Sequence, residues 1–375
     1  MYQLNNIINT IIQGHVLNVL KQIPDESIHM CITSPPYWGL RNYSTNPQTW
    51  DGDKDCDHEW VEEITSRPNA SGGRSNKLFL KRKGKENFQE HVDYHNRISK
   101  SNFCIKCDAW IGELGSEPTY QLYINHLMQI FDEIKRILTK DGNCWVNLGD
   151  SYAGSNQGSG TKNPTKKQAS NRGTNYMNTP NHKSLLSKTD IKSKSLIGIP
   201  DRFKITMIDN GWICRNDIVW HKPNQMPSSV KDRFTVDYER IFFFTKNKKY
   251  YFEQQFENQN WNGQSGKKNC RNNEVGRSDD ANRSMNSGGV NSKGRNKRCV
   301  WSINTQPLKD AHFAVFPSDL VETPILAGCP DNGIVLDPFM GSGSTALKAL
   351  ELNKNYIGIE LNPEYIEIAE RRIKN

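Results

Sequence analysis

The sequence contains few apolar residues and no long apolar run. Only 35% of its 375 residues are hydrophobic, and the mean hydropathy is −0.76. No apolar stretch approaches the roughly 18 residues that a membrane-spanning helix requires. These absences predict a chain without a membrane-spanning helix, in which long solvated segments separate the ordered elements.

The chain also lacks a secretory start and an even number of cysteines. Residues 1–6 contain no basic stretch followed by an apolar block. Nine cysteines cannot all form disulfide pairs within one chain. We therefore expect a reducing, cytoplasmic setting in which cysteines serve metal binding or core packing.

Length and charge indicate what the chain contains instead. A length of 375 residues is sufficient for one full α/β core with insertions. The net charge of +8 suits an anionic partner such as nucleic acid, and the basic residues are concentrated in polar segments. Residues 151–195 hold eight Lys/Arg against one acid, and residues 253–300 hold nine against five.

Several apolar stretches have the spacing of strands and helices. Residues 28–33 predict a buried strand, and apolar residues from Tyr120 to Leu138 recur at helical spacing before an expected turn at Asp141–Gly142. Further strands are expected at 212–220, 240–244, 334–337 and 356–360, with a hairpin turn at 246–249 that leads into a strand at 250–252, and a helix after Pro363.

The first motif with chemical content is the glycine turn that follows the strand at 334–337. It reads Asp337-Pro338-Phe339-Met340-Gly341-Ser342-Gly343-Ser344, and Glu360 ends the next strand. This order of elements is typical of a nucleotide-binding half-sheet: a strand, a glycine turn, a helix, a second strand and an acidic residue that binds ribose hydroxyls. The turn lacks the third glycine of a dinucleotide fingerprint, which favours S-adenosylmethionine; a dinucleotide site or a bare structural junction is the alternative.

The second motif, Ser34-Pro35-Pro36-Tyr37, ends the strand at 28–33. It supplies a hydroxyl and a carbonyl as hydrogen-bond acceptors, a rigid backbone and an aromatic face. An exocyclic base amine needs such acceptors before its nitrogen can attack a methyl group, and the base must leave the duplex to reach them. The alternative is a Pro-Pro turn without function. None of the seventeen prolines precedes a cysteine, so the Pro-Cys nucleophile for transfer to a cytosine ring carbon is absent.

With these motifs in this order, the chain resembles the beta-class DNA amino-methyltransferases, whose catalytic motif precedes the cofactor motif. The resemblance implies a doubly wound, Rossmann-like sheet of the S-adenosylmethionine-dependent methyltransferases. It assigns catalysis to Ser34, Pro35, Pro36 and Tyr37. It assigns the cofactor to Phe316, Pro317, Asp337, Phe339, Gly341, Ser342, Gly343 and Glu360, and His15 to the position of a usual aspartate near the adenine.

The resemblance also divides the chain and names its substrate. The methyltransferase core is expected at 1–43, 117–150, 196–252 and 301–375. A zinc-binding insertion is expected at 44–116, a basic mobile loop at 151–195 and a target-recognition segment at 253–300. Ser34 favours the N4 amine of cytosine in double-stranded DNA over the N6 amine of adenine. The expected setting is a prokaryotic or phage-encoded cytoplasmic protein, with a restriction endonuclease as an optional partner.

Four residues of the insertion have the chemistry of a zinc site. Cys104-Ile105-Lys106-Cys107 has knuckle spacing, whereas Cys56-Asp57-His58 is tighter than usual. We expect Cys56, His58, Cys104 and Cys107 to bind zinc, because the insertion is too polar to fold unaided; free cysteines in a loop are the alternative. A catalytically silent DNA-binding protein and an RNA or protein amide methyltransferase remain rival functions for the whole chain.

Overall fold

A mostly parallel sheet of eight strands forms the centre of the protein. In this computed structural model, the described residues are 1–40, 45–60, 102–154, 189–257, 294–306 and 316–374, together with the backbone of three strands of the insertion. In chain order the strands of the sheet are β1 (Thr10–Gln13), β2 (Ile28–Thr33), β3 (Leu138–Leu148), β4 (Ile213–His221), β5 (Tyr238–Thr245), β6 (Val300–Ser302), β7 (Ile334–Asp337) and β8 (Asn355–Glu360).

The spatial order of the sheet is β1-β8-β7-β2-β3-β5-β4-β6, and β5 alone among these strands runs antiparallel to its neighbours. Side chains alternate between the two faces, as the pleat requires. In β5, Phe242 and Phe244 pack in one buried cluster, whereas Ile241 and Phe243 pack in the other. The sheet is therefore buried on both faces.

Helices cover each face of the sheet. The helices are α1 (Val16–Leu20), α2 (Tyr120–Ile137), α3 (Ile199–Asp209), α4 (Ser318–Gly328), α5 (Ser344–Glu351) and α6 (Pro363–Lys374). The first three contribute to one buried cluster, whereas α4 and α5 contribute to the other. This confirms the predicted doubly wound α/β fold. No helix within the described ranges is both long and apolar enough to span a bilayer.

Local signals explain where two helices of the first face begin. The Thr119 side chain accepts a hydrogen bond of 3.2 Å from Leu122 N and so caps α2. The Asp150 carboxylate, just after β3, accepts hydrogen bonds from the backbone of Gly198 and Ile199 at the start of α3.

Two local predictions from the sequence are wrong. Leu138–Leu148 is a single strand that begins directly after α2, and the register with β2 jumps from Leu138 to Asn143. The expected turn at 141–142 is thus a bulge within the strand. The strand expected at 250–252 does not form. The rings of Tyr250 and Phe252 pack on Phe243, and Tyr251 N donates a single hydrogen bond to Asp141 O of β3.

The insertion contains two small sheets beside the core. Gln48–Trp50 pairs with Trp110–Gly112, and the strands Glu63–Pro68, Arg74–Arg82 and Lys85–Glu90 pair with one another. Most of the predicted basic loop (155–188) and of the predicted recognition segment (258–293) lies outside the described residues.

Candidate active site

Two loops that leave neighbouring strands meet at one edge of the sheet. β2 ends at Thr33 and β7 ends at Asp337, and the strands pair in parallel with Met30 opposite Val335. The Thr33 hydroxyl donates a hydrogen bond of 2.7 Å to Asp337 Oδ1. The residue before the Ser34–Tyr37 loop is therefore joined to the first residue of the glycine turn.

One cavity of about 950 Å³ lies between these loops. Its catalytic side is lined by Ser34, Pro35, Pro36, Tyr37, Asn147, Trp220, Lys222 and Glu239. Its other side is lined by His15, Phe316, Phe339, Gly341, Ser342 and Glu360. Residues from both predicted motifs thus face one space, which is large enough for a nucleoside-sized group and a base.

Three residues predicted for the cofactor site lie behind the cavity wall. Asp337, Gly343 and Pro317 are buried and do not line the cavity. Asp337 accepts hydrogen bonds from the Thr33 and Thr345 hydroxyls, the latter at 2.6 Å, and from Phe339 N at 3.1 Å. Burial raises the pKa of Asp337 to about 6, although these hydrogen bonds oppose the shift. Asp337 therefore stabilises the start of the glycine turn from its position in the core.

The two glycines of the turn are needed for different reasons. Gly341 and Gly343 have φ values of +52° and +82°, which side-chain-bearing residues rarely adopt. A Cβ on Gly343 would also lie 2.8 Å from the Cβ of Ala369, whereas a Cβ on Gly341 would meet no atom closer than 3.9 Å. Gly343 thus permits both the turn and the close approach of α6, and Gly341 permits the turn alone.

Glu360 is held by backbone donors at the end of β8. Its Oε2 accepts a hydrogen bond of 2.8 Å from Gly341 N, and its Oε1 accepts bonds of 2.8 Å from Leu361 N and Asn362 N. Burial raises the pKa of Glu360, and the three backbone donors oppose that rise. The carboxylate is fixed in place and lines the cavity as an acceptor.

His15 lies at the same side of the cavity. Its Nε2 atom is buried and has no hydrogen-bond partner among the described residues. Burial, with smaller contributions from Lys21 and His126, lowers the pKa of His15 to about 4. The ring is therefore neutral near pH 7, and its buried nitrogen can accept or donate a single hydrogen bond.

The catalytic side is a network of side chains around Tyr37. The Tyr37 hydroxyl donates to Glu239 Oε2 at 2.7 Å and lies 3.0 Å from Asn147 Oδ1. The Ser34 hydroxyl lies 3.3 Å from the Tyr37 hydroxyl and 3.4 Å from Asn147 Oδ1. Lys222 forms a salt bridge with Glu239 and lies over the Trp220 ring, 4.4 Å from its centroid.

This network is assembled from three neighbouring strands. Asn147 lies in β3, opposite Ile241 of β5, and Glu239 of β5 lies opposite Trp220 of β4. The antiparallel direction of β5 brings its first residues to the edge where the parallel strands end. Glu239, from the beginning of its strand, can therefore reach Tyr37 from the end of β2.

Close packing fixes the Ser34–Tyr37 loop. The Tyr123 hydroxyl of α2 donates a hydrogen bond of 2.8 Å to the Pro36 carbonyl. Gly149 leaves room for the Tyr37 ring, since a Cβ there would lie 2.7 Å from Tyr37 Cε2. The orientation of Tyr37 is thus set by the core as well as by the two prolines.

The insertion also contributes to the cavity wall. Trp50 lines the cavity and stacks on the His126 ring of α2, with a centroid distance of 4.6 Å. The two ring nitrogens of His126 contact Asp51 at 2.9 Å and the buried Glu117 at 3.0 Å. Burial lowers the pKa of His126, but these two carboxylates outweigh it and raise the pKa above its usual value. This ion network attaches the insertion to the core.

Away from the cavity, the four predicted metal ligands come together. The ligand atoms of Cys56, His58, Cys104 and Cys107 all lie within 4.8 Å of one another. Cys56 Sγ lies 3.9 Å from Cys104 Sγ, and Cys107 Sγ lies 3.4 Å from His58 Nδ1. The backbone N–H of Lys106 points at Cys104 Sγ from 3.4 Å. The four residues could hold one metal ion.

Sequence reasoning did not assign three residues of this site. Asn147 sits in an apolar strand, and its cavity position follows only from strand pairing. Trp50 and His126 carried no motif at all. A polar residue within the otherwise apolar 144–148 stretch was the one available signal for Asn147.

Comparisons with known proteins agree with this geometry. Residues 28–371 match the N6/N4 methyltransferase family model, which is described as DNA methylase. The chain belongs to this DNA methylase family. It is therefore a DNA methyltransferase of the N4-cytosine/N6-adenine type.

Two curated relatives and one solved structure illustrate the similarity. The chain is 33% identical to type II methyltransferase M.Cfr9I of Citrobacter freundii over 97% of this chain and 87% of that protein. It is 30% identical to type II methyltransferase M.SmaI of Serratia marcescens over 97% of this chain and 90% of that protein. The cytosine-N4-specific PvuII DNA methyltransferase has a TM-score of 0.51 at 16% identity, over 96% of this chain and 85% of that one, which shows the shared fold.

Proposed function

We propose that the protein transfers a methyl group from S-adenosylmethionine to the exocyclic N4 amine of cytosine in double-stranded DNA. The observation that carries this proposal is the shared cavity, in which the Ser34–Tyr37 network faces the Gly341 turn and Glu360. The relatives named as type II methyltransferases support a duplex DNA substrate.

The cofactor side fits S-adenosylmethionine. The Glu360 carboxylate, fixed by three backbone donors, accepts hydrogen bonds from the ribose hydroxyls. The buried Nε2 of His15 is available to the adenine edge. The Gly341–Ser342 backbone and the rings of Phe316 and Phe339 line the space for the methionine end. The bound cofactor supplies an electrophilic methyl group on a sulfonium.

The catalytic side prepares the amine. The lone pair of an exocyclic base amine is delocalised into the ring, so the nitrogen is a poor nucleophile. The Ser34 hydroxyl and the Pro35 carbonyl would accept hydrogen bonds from its N–H groups and favour a pyramidal nitrogen that can attack in line. As the nitrogen–methyl bond forms, the methyl–sulfur bond would break to leave a neutral thioether, and the nitrogen would release one proton to water. The Tyr37 ring stacks on the extruded base while its hydroxyl is held by Glu239.

The choice of cytosine rests on Ser34, and adenine N6 is the second candidate because both amines need the same acceptors. Plasmid DNA from a host that expresses the chain should contain N4-methylcytosine by nucleoside mass spectrometry, and sequencing of the modified DNA gives the recognition site. N6-methyladenine would favour the second candidate. DNA without either base would overturn the proposal, and the Ser34→Ala variant, run beside the wild type, should leave the DNA unmodified. If a companion endonuclease exists, DNA methylated at this site will resist it.

We also propose that Cys56, His58, Cys104 and Cys107 bind one structural zinc ion. Tetrahedral zinc with sulfur and nitrogen ligands places neighbouring ligand atoms roughly 3.3–3.8 Å apart. The separations of 3.9 Å and 3.4 Å are close to this range, and the full spread of the ligand atoms, within 4.8 Å, would contract around an ion by small side-chain movements. Elemental mass spectrometry should find about one zinc per chain. The Cys104→Ser/Cys107→Ser variant should lose the metal, whereas the control Cys214→Ser should retain it. Wild-type protein that contains no zinc after purification would contradict the assignment.

A further inference from the structure

The loop at 222–237, between β4 and β5, exposes four apolar side chains, of which Met226 and Phe234 are the largest and most exposed. We call it the rim loop. Met226 is 81% exposed and Phe234 is 96% exposed. Single exposed apolar residues are ordinary on protein surfaces, but four in one loop beside a functional cavity indicate a contact surface.

The rim loop is held at its base and lies at the mouth of the catalytic cavity. Lys222 N donates to Asp237 O at 2.7 Å and so closes the loop, and the Asn224 side chain bonds the Thr305 backbone. Met226 lines the catalytic cavity. Met226 and Glu239 also line an adjoining cavity of about 270 Å³, together with the residues on either side of Phe234. Phe234 lines neither cavity itself, but it stands beside this adjoining cavity and points into solvent.

Basic side chains lie near Phe234 in the rim loop: Arg233 precedes it directly, and Lys231 stands three residues before it. The Arg233 guanidinium lies 3.7 Å from the centroid of the Tyr152 ring, and Lys194 forms a salt bridge of 2.6 Å with Asp232. Tyr152 and Lys194 are the two ends of the basic 151–195 segment, which backbone hydrogen bonds between residues 153 and 194–195 bring together. The most basic part of the sequence thus begins and ends beneath the rim loop.

An aromatic tip beside basic groups fits duplex DNA better than an apolar partner. Phosphates contact the basic groups, and proteins that unstack a base step commonly insert Phe or Met. We propose that Phe234 stacks inside the duplex in the place of the extruded base, while Met226 lies at the opening through which that base enters the cavity. This inference rests on the proposed function, because it presupposes that the target base leaves the helix.

The test compares the variants Phe234→Ala and Met226→Ala with a matched control, Ile208→Ala. Ile208 is 45% exposed on α3 and lines neither cavity. The substrate is a 30-base-pair duplex carrying the site found by sequencing, with a fluorescent cytosine analogue at the target for the extrusion assay. On this duplex Phe234→Ala should lower turnover about ten- to hundredfold, the range expected for one lost stacking contact, and should lower the fluorescence change. Met226→Ala should lower turnover and the fluorescence change by smaller factors. Ile208→Ala should match the wild type in both measurements.

A second duplex separates this role from a general defect. It carries an abasic site opposite the target, so that the base is already unpaired and extrusion costs little. On this second duplex, the turnover of Phe234→Ala should fall by less than about threefold relative to the wild type. Its cofactor affinity should equal that of the wild type. Equal turnover of Phe234→Ala and wild type on the paired duplex would overturn the proposal, and so would an equal loss on both duplexes. Methyl transfer by the wild type in the same assay tests the proposed function separately.

Discussion

The two walls of the cavity hold their polar groups by different means. On the cofactor wall, the Glu360 carboxylate accepts hydrogen bonds from the backbone N–H groups of Gly341 and Asn362, all within residues 341–362. On the catalytic wall, Tyr37 is fixed by Asn147 and Glu239, which are 110 and 202 residues away in sequence. The cofactor wall should therefore be sensitive to backbone changes, and the catalytic wall to single side-chain truncations.

The largest effect is expected at Tyr37. Tyr37→Ala removes the stacking face and the hydroxyl that Glu239 holds, so turnover should fall about 100- to 1000-fold. Tyr37→Phe keeps the ring, so its turnover should fall by a smaller factor. Labelled-cofactor transfer assays measure the rates, and calorimetry should find cofactor affinity unchanged in both variants. Weakened cofactor binding would show that the walls are not independent.

The backbone wall is tested by a pair of glycine substitutions. Gly343→Ala introduces strain at φ +82° and a contact of 2.8 Å with Ala369, whereas Gly341→Ala introduces only the strain at φ +52°. We expect losses in unfolding free energy of about 3 kcal/mol and about 1 kcal/mol respectively. Urea denaturation measures both, and equal losses would mean that α6 moves aside at no cost.

Asp337 joins the two walls, and its titration gives a pH signature. Its folded pKa of about 6 lies above the usual 3.8, so the folded state binds the proton more tightly. Stability from this group is therefore fully present below about pH 4 and is lost as pH rises through about 6, by about 3 kcal/mol in total.

Asp337→Asn cannot titrate and serves as the reference for this effect. The unfolding free energy of the wild type minus that of the variant should fall between pH 4 and pH 7, as measured by urea denaturation at each pH. A difference that is flat with pH would show that Asp337 remains ionised in the folded protein.

The smallest effects are expected from two matched carboxamide variants. Glu360→Gln should weaken cofactor binding about tenfold, since a charge-assisted hydrogen bond is lost, and should leave saturated turnover nearly unchanged. Glu239→Gln should lower turnover about tenfold with unchanged cofactor affinity, because only the Tyr37 and Lys222 contacts are weakened. Titration calorimetry and initial rates distinguish the two patterns, and identical behaviour of both variants would contradict the division.

The sequence was informative where function is encoded locally. The strand before Ser34, the glycine turn after β7 and Glu360 at the end of β8 were predicted, and the structure places the motifs at one sheet edge. The strand at 250–252 was predicted wrongly: an aromatic run after a turn resembles a second hairpin strand, whereas in the structure Tyr250 and Phe252 pack on Phe243 without a strand ladder.

The sequence by itself thus determined the identity of the two motifs, because each depends on residues that are consecutive or one βαβ unit apart. Only the tertiary structure decided that Asn147, Glu239 and Lys222 surround Tyr37, since strand pairing and the reversed direction of β5 bring distant segments together. The same holds for Trp50 and His126, which touch only because the insertion folds back on α2. Local backbone geometry is determined by neighbouring residues. A shared cavity instead depends on contacts between residues that lie far apart in sequence and belong to no short motif.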